Sequence, residues 1–310
     1  MNIIEKQILI KILTIRKIEE FISKNYYKQI FRCPVHLSIG QEAISSSLDL
    51  IFKKNDLCVS SHRAHAHYLG KGGDLINFFA EILGRKGCSG GKGGSMHLYD
   101  ERVGFMGSTA IVGNIIPVGV GLSFAQKINN SKNLTIIFFG EGATEQGVFY
   151  ESINFSALHN TPTLFICENN LYSVYSPLEV RQPKSRDLLG VVKKMGIHGT
   201  REFGNDPIKI YHTLSKAKKY IKKNKRPFFI EFKTYRHLEH CGPNNDDFLN
   251  YRKPSERKKW LSYCPVEKYK KFLINKKKKN FILIKNIEKK IDIFIAKSFL
   301  VAKKRPAPTQ

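Results

Sequence analysis

Glu141 and Asn170 each stand at the end of an apolar run, where a carboxylate and an amide can do more than close a turn. The stretch containing them reads NLTIIFFGEGATEQGVFYESINFSALHNTPTLFICENNLYSVY, from Asn133 to Tyr175. One carboxylate, one amide oxygen and nearby backbone carbonyls form an all-oxygen set. Such a set suits a magnesium ion that keeps a water and also holds phosphate oxygens. Any single polar residue of this kind is more often a plain turn residue. Two such ends on adjacent strands argue for a site.

A second group lies in SSHRAHAHYLG, Ser60 to Gly70, with His62, His65 and His67 around Arg63. No carboxylate or cysteine sits among these histidines in the sequence, and Arg63 repels a cation. The group therefore suits an anionic phosphate better than a metal cluster. GCSGGKGGSMH, Gly87 to His97, invites a phosphate-loop reading that fails on spacing. Gly93 follows Lys92 where Ser or Thr is needed, and Lys86 takes the place of the first glycine. No G-x-G-x-x-G occurs either: Phe124 and Glu145 stand where the last glycine would fall.

Elements that position these residues follow from hydrophobic pattern. Leu134 to Phe139 reads as a buried parallel strand, Gly140 to Ala143 as a turn, and Thr144 to His159 as a helix halted before Pro162. Thr163 to Cys167 reads as a second buried strand that stops at Glu168-Asn169-Asn170. Parallel neighbours of this kind put their ends on one edge of the sheet, where open α/β folds bind ligands. Phe228 to Phe232 extends the sheet, and Gly107 to Ala125 reads as a turn entering a close-packed helix. Near the N-terminus, Ile8, Ile12, Ile15, Ile18 and Ile22 make one helical stripe. Ser38 with Gln41 reads as a capping box for the helix that follows. The fold expected is α/β: one domain with a mostly parallel sheet and helices on both faces (36–265), an N-terminal helical segment (1–35) and a C-terminal helical tail (266–310).

Composition narrows the classes. A chain of 310 residues, 42% hydrophobic, can bury a substantial core, and no apolar stretch has the length of a membrane span. Charged residues interrupt the first segment, which is read as a helix of the mature protein rather than a signal peptide. Six cysteines without a Cys-x-x-Cys pair point to free thiols in a reducing cytoplasm. The net charge of +26 is spread along the chain with heavy Ile and Asn use. It carries no nucleic-acid signature, so non-specific polyanion adhesion is expected and specific nucleic-acid recognition is not.

Gly-acid-Gly followed downstream by Asn169-Asn170 resembles the thiamine-diphosphate and magnesium motif. The text between, EQGVFYESINFSALHNTPTLFICENNLYSVYSP, resembles the α subunit of the decarboxylating component of 2-oxo-acid dehydrogenases, the pyruvate, branched-chain and acetoin dehydrogenase family. HLSIGQEA (36–43), SSHRAHAHYLG and GKGGSMH support the resemblance, which spans nearly the whole chain and loosens beyond residue 240. It implies oxidative decarboxylation of a small 2-oxo acid, with thiamine diphosphate and Mg²⁺ as cofactors. A β subunit in an α₂β₂ assembly would complete the active site, and a lipoyl acyltransferase would accept the acyl group.

By position the resemblance makes Glu141, Asn170 and the Tyr172 carbonyl the metal ligands. It makes His62 and Arg63 the diphosphate grip, and Ala110, Val112, Gly142 and Ala143 cofactor contacts. His65 and His240 become the imidazoles beside the reacting carbon. Three departures stand out: Glu141 where the family has Asp, His62 where it has Tyr, and Cys241 where its mammalian members have a regulatory phosphoserine. Two other readings remain. One keeps the cofactor for decarboxylation or carboligation without lipoamide; the other is a non-catalytic basic binding protein.

Overall fold

The structure, a computed structural model, describes residues 1–309. Eight strands form in chain order: β1 (Leu57–Ser61), β2 (Phe105–Thr109), β3 (Thr135–Gly140), β4 (Thr163–Asn169), β5 (Tyr172–Ser173), β6 (Ser176–Pro177), β7 (His198–Phe203) and β8 (Phe228–Lys233). Six of them make one parallel sheet in the order β2-β1-β3-β4-β8-β7, while β5 and β6 pair as a short antiparallel hairpin.

The middles of β3 (Ile136–Phe139) and β4 (Leu164–Cys167) are unbroken apolar runs because both faces are covered. Ile136, Phe138, Leu164, Ile166, Ile230 and Phe232 face a cluster shared with the helices Ile3–Asn25, Leu75–Ile82, Pro207–Asn224, Pro265–Lys276 and Asn280–Lys303. Ile137, Phe139, Phe165, Cys167 and Phe229 face a second cluster with the helices Ile115–Ile128, Gly147–Leu158 and Leu188–Lys194. In the helix 115–128, a side chain at Gly119 would come within 2.5 Å of Ile137, so glycine lets this helix lie close on the sheet.

The chain leaves β1 for β2 on one side, while β3 lies on the other. Loops after β1 and β3 therefore diverge, opening a crevice at the carboxyl ends of those strands.

The first helix starts with a reciprocal capping box between Asn2 and Glu5. It buries the expected stripe, and with it Glu5, Arg16 and Glu19. The second capping box is not formed. Gln41 occupies the cap position of the short helix Glu42–Ser45 without a side-chain cap bond, and the Ser38 hydroxyl is buried without a partner. Gln41 is drawn instead to Glu168 and Asn170 across the sheet edge. The helix expected from Thr144 begins later, at Gly147, because Glu141–Glu145 closes as a 3₁₀ turn. Edge strand β7 had no apolar run to announce it: its residues HGTREF are exposed or half-buried.

Among the described residues no helix is long and apolar enough to cross a membrane.

Candidate active site

A cavity of about 180 Å³ opens in the crevice, at the ends of β1, β3 and β4. Its wall includes His62, Arg63, Ala110, Val112, Glu141, Gly142, Asn170, Tyr172 and His240, all singled out from the sequence. Ala143 lies just behind the wall as a fully buried core residue. His65 stands apart from the cavity. It has no exposed surface, and both ring nitrogens are engaged, Nδ1 with Glu19 Oε2 at 3.1 Å and Nε2 with Ser95 Oγ at 2.6 Å. The expectation that His65 acts beside the reacting carbon has no geometric support, since this ring pins the first helix and the glycine-rich loop together.

On the acidic side, β3 delivers Glu141, which is 2% exposed. Burial pushes its carboxyl up to about 7, against the opposing pull of Arg181. Arg181 Nη2 lies 2.7 Å from Glu141 Oε1, reaching in from the segment after the β5–β6 hairpin, and Arg181 also pairs with Glu145. Asn170, just past β4, accepts the Tyr172 N–H on its side-chain oxygen at 3.1 Å, folding the two into a tight turn. At Gly142 a side chain would meet Ser173 Oγ at 2.9 Å, so only glycine leaves this wall bare.

A buried relay runs from β1 to the cavity wall, which Gln41 and Glu168 themselves help to line. Ser60 Oγ bonds His67 Nδ1 at 2.7 Å, His67 Nε2 bonds Glu168 Oε1 at 3.0 Å, and Gln41 donates to Glu168 Oε2 at 3.3 Å. Asn170 in turn donates to Gln41 Oε1 at 3.4 Å. Every member has a hydrogen-bond partner, as buried polar groups ordinarily do.

On the basic side, Arg63 is 6% exposed and donates to the carbonyls of Leu37 at 2.6 Å and His240 at 3.0 Å. Burial, with Arg236 adding, lowers its guanidinium to about 10. Three imidazoles gather beside it. Ring centroids are 4.6 Å apart for His36–His62, 5.1 Å for His36–His240 and 5.2 Å for His62–His240. Burial, reinforced by the Arg63 charge, depresses His36 to about 2 and both His62 and His240 to about 3. All three rings are neutral at physiological pH. Arg236, 1% exposed, fixes the loop carrying His240 by donating to Leu238 O at 2.7 Å and to Val174 O at 2.6 Å.

Sequence reasoning passed over His36, Gln41, Glu168 and Arg181. His36 and Gln41 sit in HLSIGQEA, where a capping box accounted for Gln41 with Ser38 and nothing singled out His36. Glu168 was the neighbour of a recognised amide pair, and Arg181 was one base among several in a polar loop. Only the fold brings them to the cavity.

The chain matches the "Dehydrogenase E1 component" family over residues 10–310. It is 34% identical over 299 residues to the pyruvate dehydrogenase E1 component subunit alpha of Rickettsia bellii, covering 96% of this chain and 90% of that protein. The mitochondrial pyruvate dehydrogenase E1 component subunit alpha-2 of Arabidopsis thaliana is 34% identical over 297 residues, 94% of this chain and 74% of its own length.

Proposed function

The chain belongs to the dehydrogenase E1 component family, as an alpha subunit of the thiamine-diphosphate-dependent decarboxylating component of a 2-oxo-acid dehydrogenase, and on that premise we propose how its cavity serves the reaction. Glu141, Asn170 and the Tyr172 carbonyl hold Mg²⁺. Arg63 and His62 grip the diphosphate, Ala110, Val112 and Gly142 supply the close wall against the cofactor, and Ala143 backs that wall from the core.

The residues present fit these groups. The acidic side offers oxygen ligands suited to a hard cation, and the basic side offers an arginine and neutral imidazole donors. The bare wall at Gly142 is a cradle that a side chain would fill. One adjustment is required, because Arg181 already neutralises Glu141 and must give way to the metal.

Thiamine diphosphate, when bound, supplies the chemistry of breaking the bond to the departing carboxylate. The chain's own groups bind, orient and shield. Arg63 opposes phosphate charge from a site dry enough to strengthen that attraction. His240 and His36 border the cavity as neutral rings able to donate or accept one hydrogen bond to a 2-oxo acid. His36 takes the place that the sequence reading gave to His65. Gln41, itself held by Glu168, keeps Asn170 in position on the wall.

The observation that carries the reading is the convergence of Glu141, Asn170, Tyr172, Arg63 and His62 on one cavity wall. Its volume, about 180 Å³, falls below the roughly 300–1,000 Å³ of most cofactor sites. That supports a site shared with a β subunit in an α₂β₂ assembly, with the acyl group leaving to a lipoyl acyltransferase. Six free cysteines accord with a cytoplasmic setting.

Calorimetry on the chain co-purified with its β partner tests the reading. Thiamine diphosphate should bind only when Mg²⁺ is present. No binding under those conditions rejects the cofactor assignment, and full-rate decarboxylation by the isolated chain rejects the shared site.

A further inference from the structure

We propose that Glu81 is a positioning residue for the cavity. Its carboxylate is the internal anion around which the glycine-rich loop 87–97 folds, and the loop so fixed sets Met96 against the carbon side chain of the 2-oxo acid. This role rests on the 2-oxo-acid reading of the cavity and gives that reading a selectivity residue.

Glu81 lies on the helix Leu75–Ile82 and is 1% exposed. It accepts backbone N–H bonds from the loop on both oxygens. Oε2 takes Ser89 at 2.7 Å and Gly91 at 2.9 Å, and Oε1 takes Gly93 at 2.7 Å and Gly94 at 3.3 Å. Backbone N–H groups converging on one anion form the kind of nest by which phosphate loops hold their ligand. Here the chain supplies the anion itself, which accounts for a loop rich in glycine whose spacing fails for phosphate. Gly91 has φ +83°, and a side chain there would sit 2.4 Å from the Arg85 carbonyl, so the nest needs glycine.

The far end of the loop is tied to the sheet. Ser95 Oγ bonds His65 Nε2 at 2.6 Å, and the Met96 carbonyl accepts from Ser108 Oγ of β2 at 2.9 Å. Leu98 N–H in turn donates to Ser108 Oγ at 2.8 Å. Met96 is thereby held in the cavity wall between the nest and β2. In that wall Ala110 and Val112 serve the cofactor, while His36, Arg63 and His240 offer only polar groups. The carbon end of a 2-oxo acid needs apolar surface, and Met96 gives it a long, unbranched one that adapts to the shape it meets. Its length keeps the space small, so it favours a short 2-oxo acid over a branched one.

The test uses the chain co-purified with its β partner and the variants Glu81→Gln, Glu81→Asp, Met96→Ala and the double variant Glu81→Gln with Met96→Ala. Glutamine puts an NH₂ where an acceptor oxygen stood. Amide hydrogen exchange of residues 89–94 in Glu81→Gln should therefore be at least about tenfold faster. Glu81→Asp keeps the charge and should fall between the two. Pyruvate and 3-methyl-2-oxobutanoate are then compared by kcat/KM. Pocket methylenes discriminate by about tenfold or more, so Met96→Ala should move the ratio toward the branched acid by about that factor. Glu81→Gln should move it the same way, and should add nothing once Met96 is alanine. A carboxylate that merely supports the fold would lower kcat/KM for both acids alike, and that result overturns the proposal. So does an unchanged ratio in Met96→Ala, or unchanged exchange in Glu81→Gln. Should Glu81→Gln lose its native circular dichroism, Glu81→Asp carries the same comparison. Turnover of neither acid by the wild-type complex rejects the cofactor reading, and the role of Met96 with it, while the exchange arm decides the Glu81 nest on its own.

Discussion

Glu141 carries one methylene more than the aspartate found at its position in the family, and in this fold that reach is spent on Arg181, 2.7 Å away. Magnesium tolerates little geometric error, so the carboxylate's charge and length can be varied separately. Glu141→Asp should retain Mg²⁺-dependent cofactor binding, whereas Glu141→Gln should lose most of it; equal affinity in the Gln variant would remove Glu141 from the site. Arg181→Gln removes the competing cation and should tighten Mg²⁺, read by calorimetry on the chain with its β partner. The imidazoles make a pH prediction. Their folded values, about 2 for His36 and about 3 for His62 and His240, lie below the ordinary 6.5. The unfolded chain therefore binds more protons below pH 6.5, and stability falls as pH drops from there toward 3. Each imidazole that charges only on unfolding costs about 1.4 kcal/mol per pH unit in that window. The thermal midpoint should fall from pH 7 to pH 5, and less steeply in His36→Asn.

At the scale of elements, the first helix is a positioning device as well as a packed cylinder. Glu19, with no exposed surface, accepts from Ser38 N–H and from His65, tying the two sequence motifs to one helix. Arg16 pairs with Glu42, whose carboxylate also receives Gly40 N–H at 3.1 Å. Removing one member of a buried pair leaves an uncompensated charge and costs about 3–5 kcal/mol. Arg16→Met should destabilise by about that much, and adding Glu42→Gln should recover part of it, as a double-mutant cycle in urea would show. Gly40 has φ +102°, and a side chain there would sit 2.4 Å from the Tyr235 carbonyl. Gly40→Ala should therefore destabilise and loosen the loop that carries His36.

Across the whole molecule, the net charge of +26 sits on a fold whose site follows sheet topology rather than charge. Adhesion to DNA should be indifferent to base sequence and fall steeply between 50 and 200 mM salt. Retention of a preferred sequence at high salt would contradict that reading. The most densely basic run, Lys276 to Lys279, lies at the junction of the helices Pro265–Lys276 and Asn280–Lys303. That is a solvated turn, and it is remote in sequence from the cavity wall.

The sequence by itself determined the sheet's central strands, because runs apolar at every position can only be buried on both faces. It also determined part of the cavity wall, because Glu141 and Asn170 follow directly from strand ends, and a strand end must fall at the sheet's edge; His62 and Arg63 rested on their residue types and the family resemblance, since no pattern announced β1 before them. Other features depended on contacts between segments far apart in the chain. His36 and His240 are separated by most of the sequence yet meet at a centroid distance of 5.1 Å. Arg181 finds Glu141 only once the β5–β6 hairpin has folded back. His65, placed in the site by its neighbours in sequence, turns away because the helix starting at that residue points its ring toward Glu19 and Ser95. Local pattern sets which edge a loop belongs to; the direction of each side chain from that loop is set by packing, and packing is decided only in three dimensions.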